Sequence, residues 1–215
     1  GIVSNGFNSP NIISTDNNIY VATSNEKENE YNFYQITDNG DIKLLYSIDM
    51  SKETINHFSK IYIDDESIYY MIIDNENSQS LCRYNYKSNY KEIIYSINDS
   101  EKNLFEFLVM DEFYVIDVYD ASKKSKLIYI YKDGKIIESN NEVLLSFFRK
   151  LENGKILTHN GNKLFRLFNK NGLEEKVFEF QGLYPDFKYI IYDSRYMIIT
   201  NNDPNELYIY DLNEL

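Results

Sequence analysis

The sequence predicts an all-β fold built from a repeated unit of four short strands. Its 21 Tyr and 13 Phe favour the pleated, half-buried surfaces of sheets, whereas only 8 Gly and 3 Pro argue against collagen-like and linker-rich classes. Short apolar runs, several with period-two alternation, are separated by turn residues. The four-run unit recurs about every 43 residues, a period typical of β-propellers. We therefore expect one domain, residues 1–215, with the architecture of a β-propeller.

Each predicted strand is bounded by turn residues, which allows the strands to be assigned in chain order. The first unit comprises residues 11–14, 19–23, 31–37 and 42–48, and the second comprises 58–63, 67–73, 80–86 and 90–97. The third comprises 105–110, 113–119, 126–131 and 135–138, and the fourth comprises 143–150, 155–158, 163–168 and 174–180. The fifth unit has three runs, 187–192, 195–200 and 206–212, and lacks an outer one.

Three glycine-containing turns join the third run of a unit to the fourth. They are centred on Asn39-Gly40, Asp133-Gly134 and Asn171-Gly172. Such pairs supply the positive φ angles that tight hairpins require. At most other turns Asn and Asp take the place of the scarce glycines. The turns therefore predict antiparallel pairing within each unit.

The count of runs predicts a five-bladed ring. A propeller blade buries its faces only against its neighbours, so the ring must close. The apolar pair Ile2 and Val3 precedes the first unit and would supply the outer strand that the fifth unit lacks. This N-terminal strand would close the ring. The alternative is a fragment of a larger propeller that serves as a structural or sensor domain.

A strand motif echoes through the repeats. It reads Ser-Ile-Tyr-Tyr at 67–70, Lys-Leu-Ile-Tyr-Ile-Tyr at 126–131 and Glu-Leu-Tyr-Ile-Tyr-Asp-Leu at 206–212. These residues resemble the divergent repeats of bacterial β-propeller proteins of the broad YWTD, TolB and NHL-like kind. The resemblance covers nearly the whole chain and implies a rigid binding platform or, in a smaller set, a glycosidase or another enzyme. The chain has no Trp, so the Tyr-Trp-Thr-Asp motif is absent and no family's functional residues transfer.

Charge and apolar patterning exclude several classes of partner. With 34 acidic and 22 basic residues, the net charge is −12, whereas nucleic-acid binding normally needs a clustered positive face. No apolar stretch is long enough for a helix to span a membrane. Cys82 is the sole cysteine, so an internal disulfide is impossible, and its apolar run predicts a small buried side chain.

Acidic residues follow the first strand of every unit. The turns concerned contain Asp16, Asp64, Asp111, Glu152 and Asp193. In a propeller these turns would surround one mouth of the central channel, where carboxylate oxygens could bind Ca²⁺. Two other interpretations are ordinary turn chemistry, since Asp favours such positions, and the docking of a cationic partner. Apart from Ca²⁺, we expect no cofactor.

A five-bladed carbohydrate-active enzyme or lectin is the alternative function. Glycoside hydrolysis needs two carboxyl groups about 5–10 Å apart, which the acidic turns could supply. Few insertions are long enough to build a substrate cleft, and no Trp is present to stack on sugars. The turn acids also lack an evident burial that would raise a pKa. The sequence therefore leans against an enzyme without deciding the question.

Four aromatic residues, in loops or at the first position of a predicted strand beside a loop, are candidate ligand contacts. Tyr and Phe rings offer a large contact area at a low entropic cost. We take Phe7, Tyr31, Tyr90 and Tyr184 as these candidates, and Tyr184 lies in the most turn-like connection between units. The competing interpretation is that each ring anchors its own loop.

The leading prediction is a non-catalytic platform that binds a protein or a glycan. The bias toward Asn, Lys, Ile and Tyr resembles that of AT-rich bacterial genomes. It favours an extracellular or cell-surface bacterial protein, with a cytoplasmic location as the alternative.

Overall fold

The computed structural model confirms the all-β fold. It describes residues 11–14, 18–25, 27–55, 61–140, 147–159, 164–179, 188–192, 194–202 and 205–215. Within these ranges the chain forms strands β1 to β20 and one short 3-10 turn, Leu212–Glu214. Ile2 and Val3, the predicted closing strand, lie outside the described residues. The chain divides into two compact units, Gly1–Phe107 and Leu108–Leu215.

The first unit contains two antiparallel sheets. The strands of sheet 1, in spatial order, are β1 (Asn11–Ser14), β2 (Ile19–Asn25), β3 (Glu30–Ile36) and β4 (Ile42–Asp49). The strands of sheet 2 are β5 (Glu53–Ile55), β6 (Tyr62–Ile63), β7 (Ser67–Asp74), β8 (Gln79–Asn85) and β9 (Tyr90–Ile97). Its order is β5-β7-β8-β9, and β6 also pairs with β7. The first strand of sheet 2 is therefore divided into two pieces.

The second unit contains three further sheets, and its boundary falls within the first strand of sheet 3. Sheet 3 consists of β10 (Lys102–Val109), β11 (Tyr114–Asp120), β12 (Ser125–Lys132) and β13 (Lys135–Asn140). Sheet 4 consists of β14 (Phe147–Lys150), β15 (Ile156–His159), β16 (Leu164–Phe168) and β17 (Glu174–Glu179). Sheet 5 has three strands, β18 (Lys188–Tyr192), β19 (Tyr196–Asn202) and β20 (Asn205–Asp211).

The same β-bulge recurs in sheets 1 to 4, always between the third and fourth strands. In sheet 1, Phe33 pairs with Tyr46 but Tyr34 pairs with Leu44, so the fourth strand contains one extra residue. The equivalent shifts follow Leu81, Ile130 and Leu167. A bulge increases local twist and makes an edge strand a poorer template for further pairing. The repeat is therefore one of backbone geometry as well as of sequence.

The predicted turn chemistry is confirmed at the hairpins. Gly40, Gly134 and Gly172 have φ angles of 83°, 75° and 84°. Asn77 and Asn89 have φ angles of 62° and 55°, in the left-handed region that Asn tolerates better than most residues. Asn therefore replaces glycine at these turns, as the composition predicts.

Apolar side chains between stacked sheets form the core of each unit. In the first unit Tyr20 and Phe33 of sheet 1 belong to one buried cluster with Ile68 and Tyr70 of sheet 2. In the second unit Ile130 of sheet 3 clusters with Ile156 and Phe168 of sheet 4. A further cluster joins sheets 4 and 5 and includes Leu157, Leu167, Met197 and Ile199. Burial of both faces therefore depends on neighbouring sheets.

The first strands of sheets 2 and 4 were predicted over ranges that reach outside the described residues. Of the run predicted over 58–63, the structure describes residues 61–63, which contain β6. Of the strand predicted over 143–150, the structure describes β14, from Phe147. The separate strand β5 was not predicted, because its pairing with β7 and not the alternation of a run places it in the sheet.

Cys82 is a free and fully buried side chain of β8. Burial raises the pKa of its thiol to about 12, so the reactive thiolate is disfavoured. The sequence prediction of a small buried side chain is confirmed. Among the described residues, no helix is long and apolar enough to cross a membrane.

Candidate functional site

The turns of Asp64, Asp111 and Glu152 connect the first two strands of sheets 2, 3 and 4, and we name the end of a sheet at which this connection lies the turn end. In an antiparallel meander the connection between the first and second strands lies at the same end as the connection between the third and fourth. In sheets 3 and 4 the predicted acids therefore lie at the same end as the hairpins of Gly134 and Gly172. The turn end is consequently where the sequence candidates can be compared.

Asp64 closes its own turn. Its Oδ1 accepts hydrogen bonds from the backbone N–H groups of Glu66 and Ser67, at 2.9 and 2.7 Å. Its backbone carbonyl accepts a further bond from the Tyr86 hydroxyl at 2.9 Å. This is the local chemistry that makes Asp common in tight turns.

Asp111 and Glu112 each contact a lysine. Asp111 Oδ1 lies 3.3 Å from Lys150 Nζ, and the Asp111 side chain is 93% exposed. Glu112 Oε2 lies 2.6 Å from Lys132 Nζ, a hydrogen bond that lowers the pKa of Glu112 and raises that of Lys132. Exposed pairs of this kind contribute little stability, but they restrict where the side chains point.

Glu152 connects two sheets of the second unit. Its backbone N–H donates to the carbonyl of Ser194 at 2.9 Å. Its Oε2 accepts a hydrogen bond from Asn213 Nδ2, also at 2.9 Å. Asp16 and Asp193, the two other predicted acids, lie outside the described residues.

A polar clasp joins the first turn of a sheet to the end of its third strand. Gln35 donates to Asn18 in sheet 1 at 2.8 Å, and Lys87 pairs with Glu66 in sheet 2 at 3.2 Å. The clasps of sheets 3 and 5 are Lys132–Glu112 and Arg195–Asp211, the latter at 2.8 Å. Sequence reasoning missed this pattern because the partners are 16 to 21 residues apart. In addition, the first turn provides the acidic partner in sheets 2 and 3 but the basic partner in sheet 5.

A shallow cleft of about 460 Å³ opens at the turn end of sheet 3. Its volume falls within the range of small-ligand sites. Phe113 is buried at this site and Tyr114 is half-buried, while Asp111, Glu112 and Asp133 are exposed. The lining residues are Met110, Asp111, Glu112, Phe113, Tyr114, Lys132 and Asp133.

The predicted calcium site stays a prediction. Within the described ranges, no three His, Cys, Asp or Glu side chains are grouped closely enough to hold a metal ion. Asp64, Asp111 and Glu152 instead have the local partners given above.

The aromatic candidates divide into two groups. Phe7 and Tyr184 lie outside the described residues. Tyr31 is not a loop residue as expected: it lies in β3, is 5% exposed and packs edge-on against Phe33 at 5.4 Å. Tyr90 is the first residue of β9 and is 61% exposed. Alternation from Phe33 would have placed Tyr31 on the core face, since the two are two residues apart.

A half-buried polar cluster between sheets 1 and 2 was also missed. Lys91 Nζ lies 2.6 and 2.7 Å from the two carboxylate oxygens of Glu53. The same ammonium group lies 5.9 Å from the centre of the Tyr70 ring, and the Tyr70 hydroxyl bonds to that of Tyr46 at 3.3 Å. Burial lowers the pKa of Lys91, but the hydrogen bond to Glu53 and the electrostatic attraction of neighbouring groups together outweigh burial and raise that pKa. The arrangement ties β5 to β9.

Comparison with known proteins is informative about the fold alone. No family model matches the chain, and no curated protein matches it. The solved structures that are similar include an acylaminoacyl peptidase from Pyrococcus horikoshii and Raptor from Chaetomium thermophilum. The peptidase match has a TM-score of 0.57 and 14% identity over 94% of this chain. The Raptor match has a TM-score of 0.55 and 8% identity over 95% of this chain.

Both similar structures belong to much longer chains. The match covers 38% of the peptidase and 20% of Raptor. Their matching regions are propeller-like, and at these identities the likeness extends to the fold and not to activity or partners.

Proposed function

We propose that the chain is a five-bladed β-propeller that acts as a non-catalytic binding platform for a protein partner. The five antiparallel sheets, the recurring bulge and the propeller-like neighbours support the fold. In this proposal sheet 5 gains its outer strand from Ile2 and Val3.

The proposed ring would have to cover apolar faces of the first and last sheets, which are exposed in the structure. Leu207 and Ile209 of sheet 5 are large, apolar and exposed. Ile12 and Ile19 of sheet 1 are about half exposed, on the face opposite the buried side chains of Tyr20 and Ala22. Two such apolar faces are each costly in water, and covering both removes that cost.

The cleft at the turn end of sheet 3 supports a docking role. Its lining contains the half-buried Tyr114 ring, three exposed carboxylates and one lysine, so it offers an apolar contact beside a net negative charge. A lysine or arginine side chain fits this chemistry, because its alkyl stem can contact Tyr114 while its charge approaches Asp111 and Asp133. The net charge of −12 would also speed the approach of a basic partner. This cleft is the observation that carries the proposed function.

Fluorescence anisotropy with labelled peptides tests the docking role. A lysine-rich peptide should bind the chain, and its glutamate-substituted counterpart should not. Replacing both cleft acids, Asp111→Asn and Asp133→Asn, should weaken binding several-fold. The matched control is Glu76→Gln, which removes one exposed charge at the opposite end of sheet 2.

Two results would overturn this site. One is equal weakening by the cleft variant and by Glu76→Gln, which would indicate a diffuse charge effect. The other is the absence of binding to the lysine-rich peptide even at low salt, where such attraction is strongest. A soluble sugar that stabilises the folded chain in a thermal melt would favour the glycan partner instead.

A further inference from the structure

Three described turns contain an Asn-Gly pair. The pairs are Asn39-Gly40, Asn153-Gly154 and Asn171-Gly172. Each glycine has a positive φ angle, and each glycine N–H donates to a carbonyl of its own turn at 2.8 to 3.0 Å. The three pairs therefore share a local sequence and a local geometry, so a difference in their chemistry must come from their surroundings.

Asn-Gly pairs are prone to an intramolecular reaction. The glycine nitrogen loses its proton to solvent base and forms a bond to the Asn Cγ, while the Cγ–Nδ2 bond breaks and ammonia leaves. Water then opens the resulting cyclic imide at one of its two carbonyl carbons. Opening at one carbon yields Asp, and opening at the other yields isoaspartate. No oxidant, reductant or enzyme is needed, but the glycine N–H must first leave its turn hydrogen bond.

The Asn39 turn is the least restrained of the three. Asn39 and Gly40 are both exposed, and a Cβ built on Gly40 would find no atom within 4 Å. Among the described residues, the Asn39 side chain makes no hydrogen bond. Opening this turn breaks the bond from Gly40 N–H to the Thr37 carbonyl, at 2.8 Å, without breaking any core contact.

The other two turns are held more firmly. Gly172 is buried, and a Cβ built on it would lie 2.6 Å from Ile130 Cγ2 and 3.4 Å from the Phe113 ring. Opening that turn must therefore disturb the contact between sheets 3 and 4. In the remaining turn the side chain of Asn153 is engaged, since its Oδ1 accepts a hydrogen bond from the Lys155 N–H at 3.0 Å.

We propose that Asn39 is a site of spontaneous deamidation, favoured over Asn153 and Asn171 in the folded chain. Local opening free energies differ across a structure, and reactions that need an open state follow them. The product places a new carboxylate on the hairpin between β3 and β4, at the turn end of sheet 1. The inference does not depend on the proposed function.

Peptide mapping by mass spectrometry tests the order of reactivity. The full chain is incubated at mildly alkaline pH in the folded state, and a second sample is incubated in urea. The unfolded sample supplies the intrinsic rate of each pair. The ratio of folded to unfolded rates should be about tenfold or more higher for Asn39 than for Asn171, as expected if opening differs by about 1.4 kcal/mol. The ratio for Asn153 should lie below that for Asn39.

An independent readout is amide hydrogen exchange, in which Gly40 N–H should exchange faster than Gly172 N–H. As a control, Asn39→Gln should remove the modified species that maps to this hairpin while leaving the melting temperature unchanged. The proposal is overturned if Asn171 or Asn153 has a folded-to-unfolded ratio equal to or above that of Asn39. It is also overturned if Asn39 stays intact in the folded chain while it reacts in urea.

Discussion

Two segments of nearly identical sequence occupy different environments in the second unit. Residues 128–131 of β12 read Ile-Tyr-Ile-Tyr, and residues 207–210 of β20 read Leu-Tyr-Ile-Tyr. Ile130 is 2% exposed and belongs to the cluster that joins sheets 3 and 4. Ile209 is 62% exposed, on the face of sheet 5 directed away from the cluster it shares with sheet 4. Local sequence therefore determines that each segment forms a strand, whereas packing against a neighbouring sheet determines which of its side chains are buried.

The largest expected effect on stability comes from truncating Ile130 and its counterpart in the second segment, Ile209. Ile130→Ala should lower the free energy of unfolding by about 2–5 kcal/mol, because it leaves a cavity between sheets 3 and 4. If the ring is closed as proposed, Ile209→Ala should have a cost in the same range. Urea denaturation of both variants, with the slopes compared to exclude a change in the unfolded state, measures the two values.

The stability of the Ile209→Ala variant is the measurement that can contradict the proposed closed ring. A side chain that stays exposed is expected to change stability by no more than about 0.5 kcal/mol on truncation. A value that small, together with the full cost at Ile130, would mean that nothing covers the last sheet. Leu207→Ala supplies a second measurement on the same face.

A smaller effect is expected for the difference in stability between two glycine variants, in the hairpins that follow β12 and β16. Gly134→Ala and Gly172→Ala both place a Cβ on backbone with positive φ, at a cost of about 1–2 kcal/mol. Only Gly172→Ala also drives that Cβ against Ile130, and such overpacking typically adds about 1–3 kcal/mol. Thermal melts of the two variants isolate the contact term. Equal losses of stability in the two variants would show that Ile130 in sheet 3 moves aside at no cost in free energy.

The smallest expected effect is a pH dependence of stability that arises from the clasps of sheets 3 and 5, which lie at the ends of the two compared strands. Hydrogen bonding to Arg195 lowers the pKa of Asp211, and hydrogen bonding to Lys132 lowers that of Glu112. A carboxyl whose pKa is lower in the folded state stabilises the fold above its unfolded pKa of about 4, and this stability is lost as pH falls through the folded value. We therefore expect the clasps to contribute more stability at pH 7 than at pH 2.

Urea midpoints of wild type, Arg195→Met and Lys132→Met at the two pH values check this expectation. Each variant should lose less stability on acidification than wild type does, and added salt should reduce the difference. If a variant loses as much stability as wild type on acidification, its clasp is not the source of the pH dependence.

Much of the secondary structure could be predicted because it depends on neighbours in sequence. Every predicted run overlaps an observed strand, and the hairpin glycines have the positive φ angles expected of them. The division of the first strand of sheet 2 into β5 and β6 was not predicted. There β5 and β6 pair separately with β7, and pairing partners are not encoded in the alternation of a single run.

The candidate site was predicted less well, because its residues act through partners distant in sequence. Asp64 and Asp111 were correctly placed in turns, but their hydrogen bonds and lysine contacts depend on the meander. Tyr31 was expected in a loop and is a core residue. The Lys91–Glu53 pair spans 38 residues and carries no sequence signal.

The sequence by itself determined the all-β character, the four-strand unit and the positions of the turns. Each of these follows from side-chain alternation and from the φ angles that Asn and Gly tolerate. Only the tertiary structure decided which copy of a motif is buried, which acids are paired and which glycine has no room for a Cβ. Those properties belong to contacts between sheets: within the second unit Ile130 packs against sheet 4, whereas Ile209 lies on the face of sheet 5 that is directed away from sheet 4.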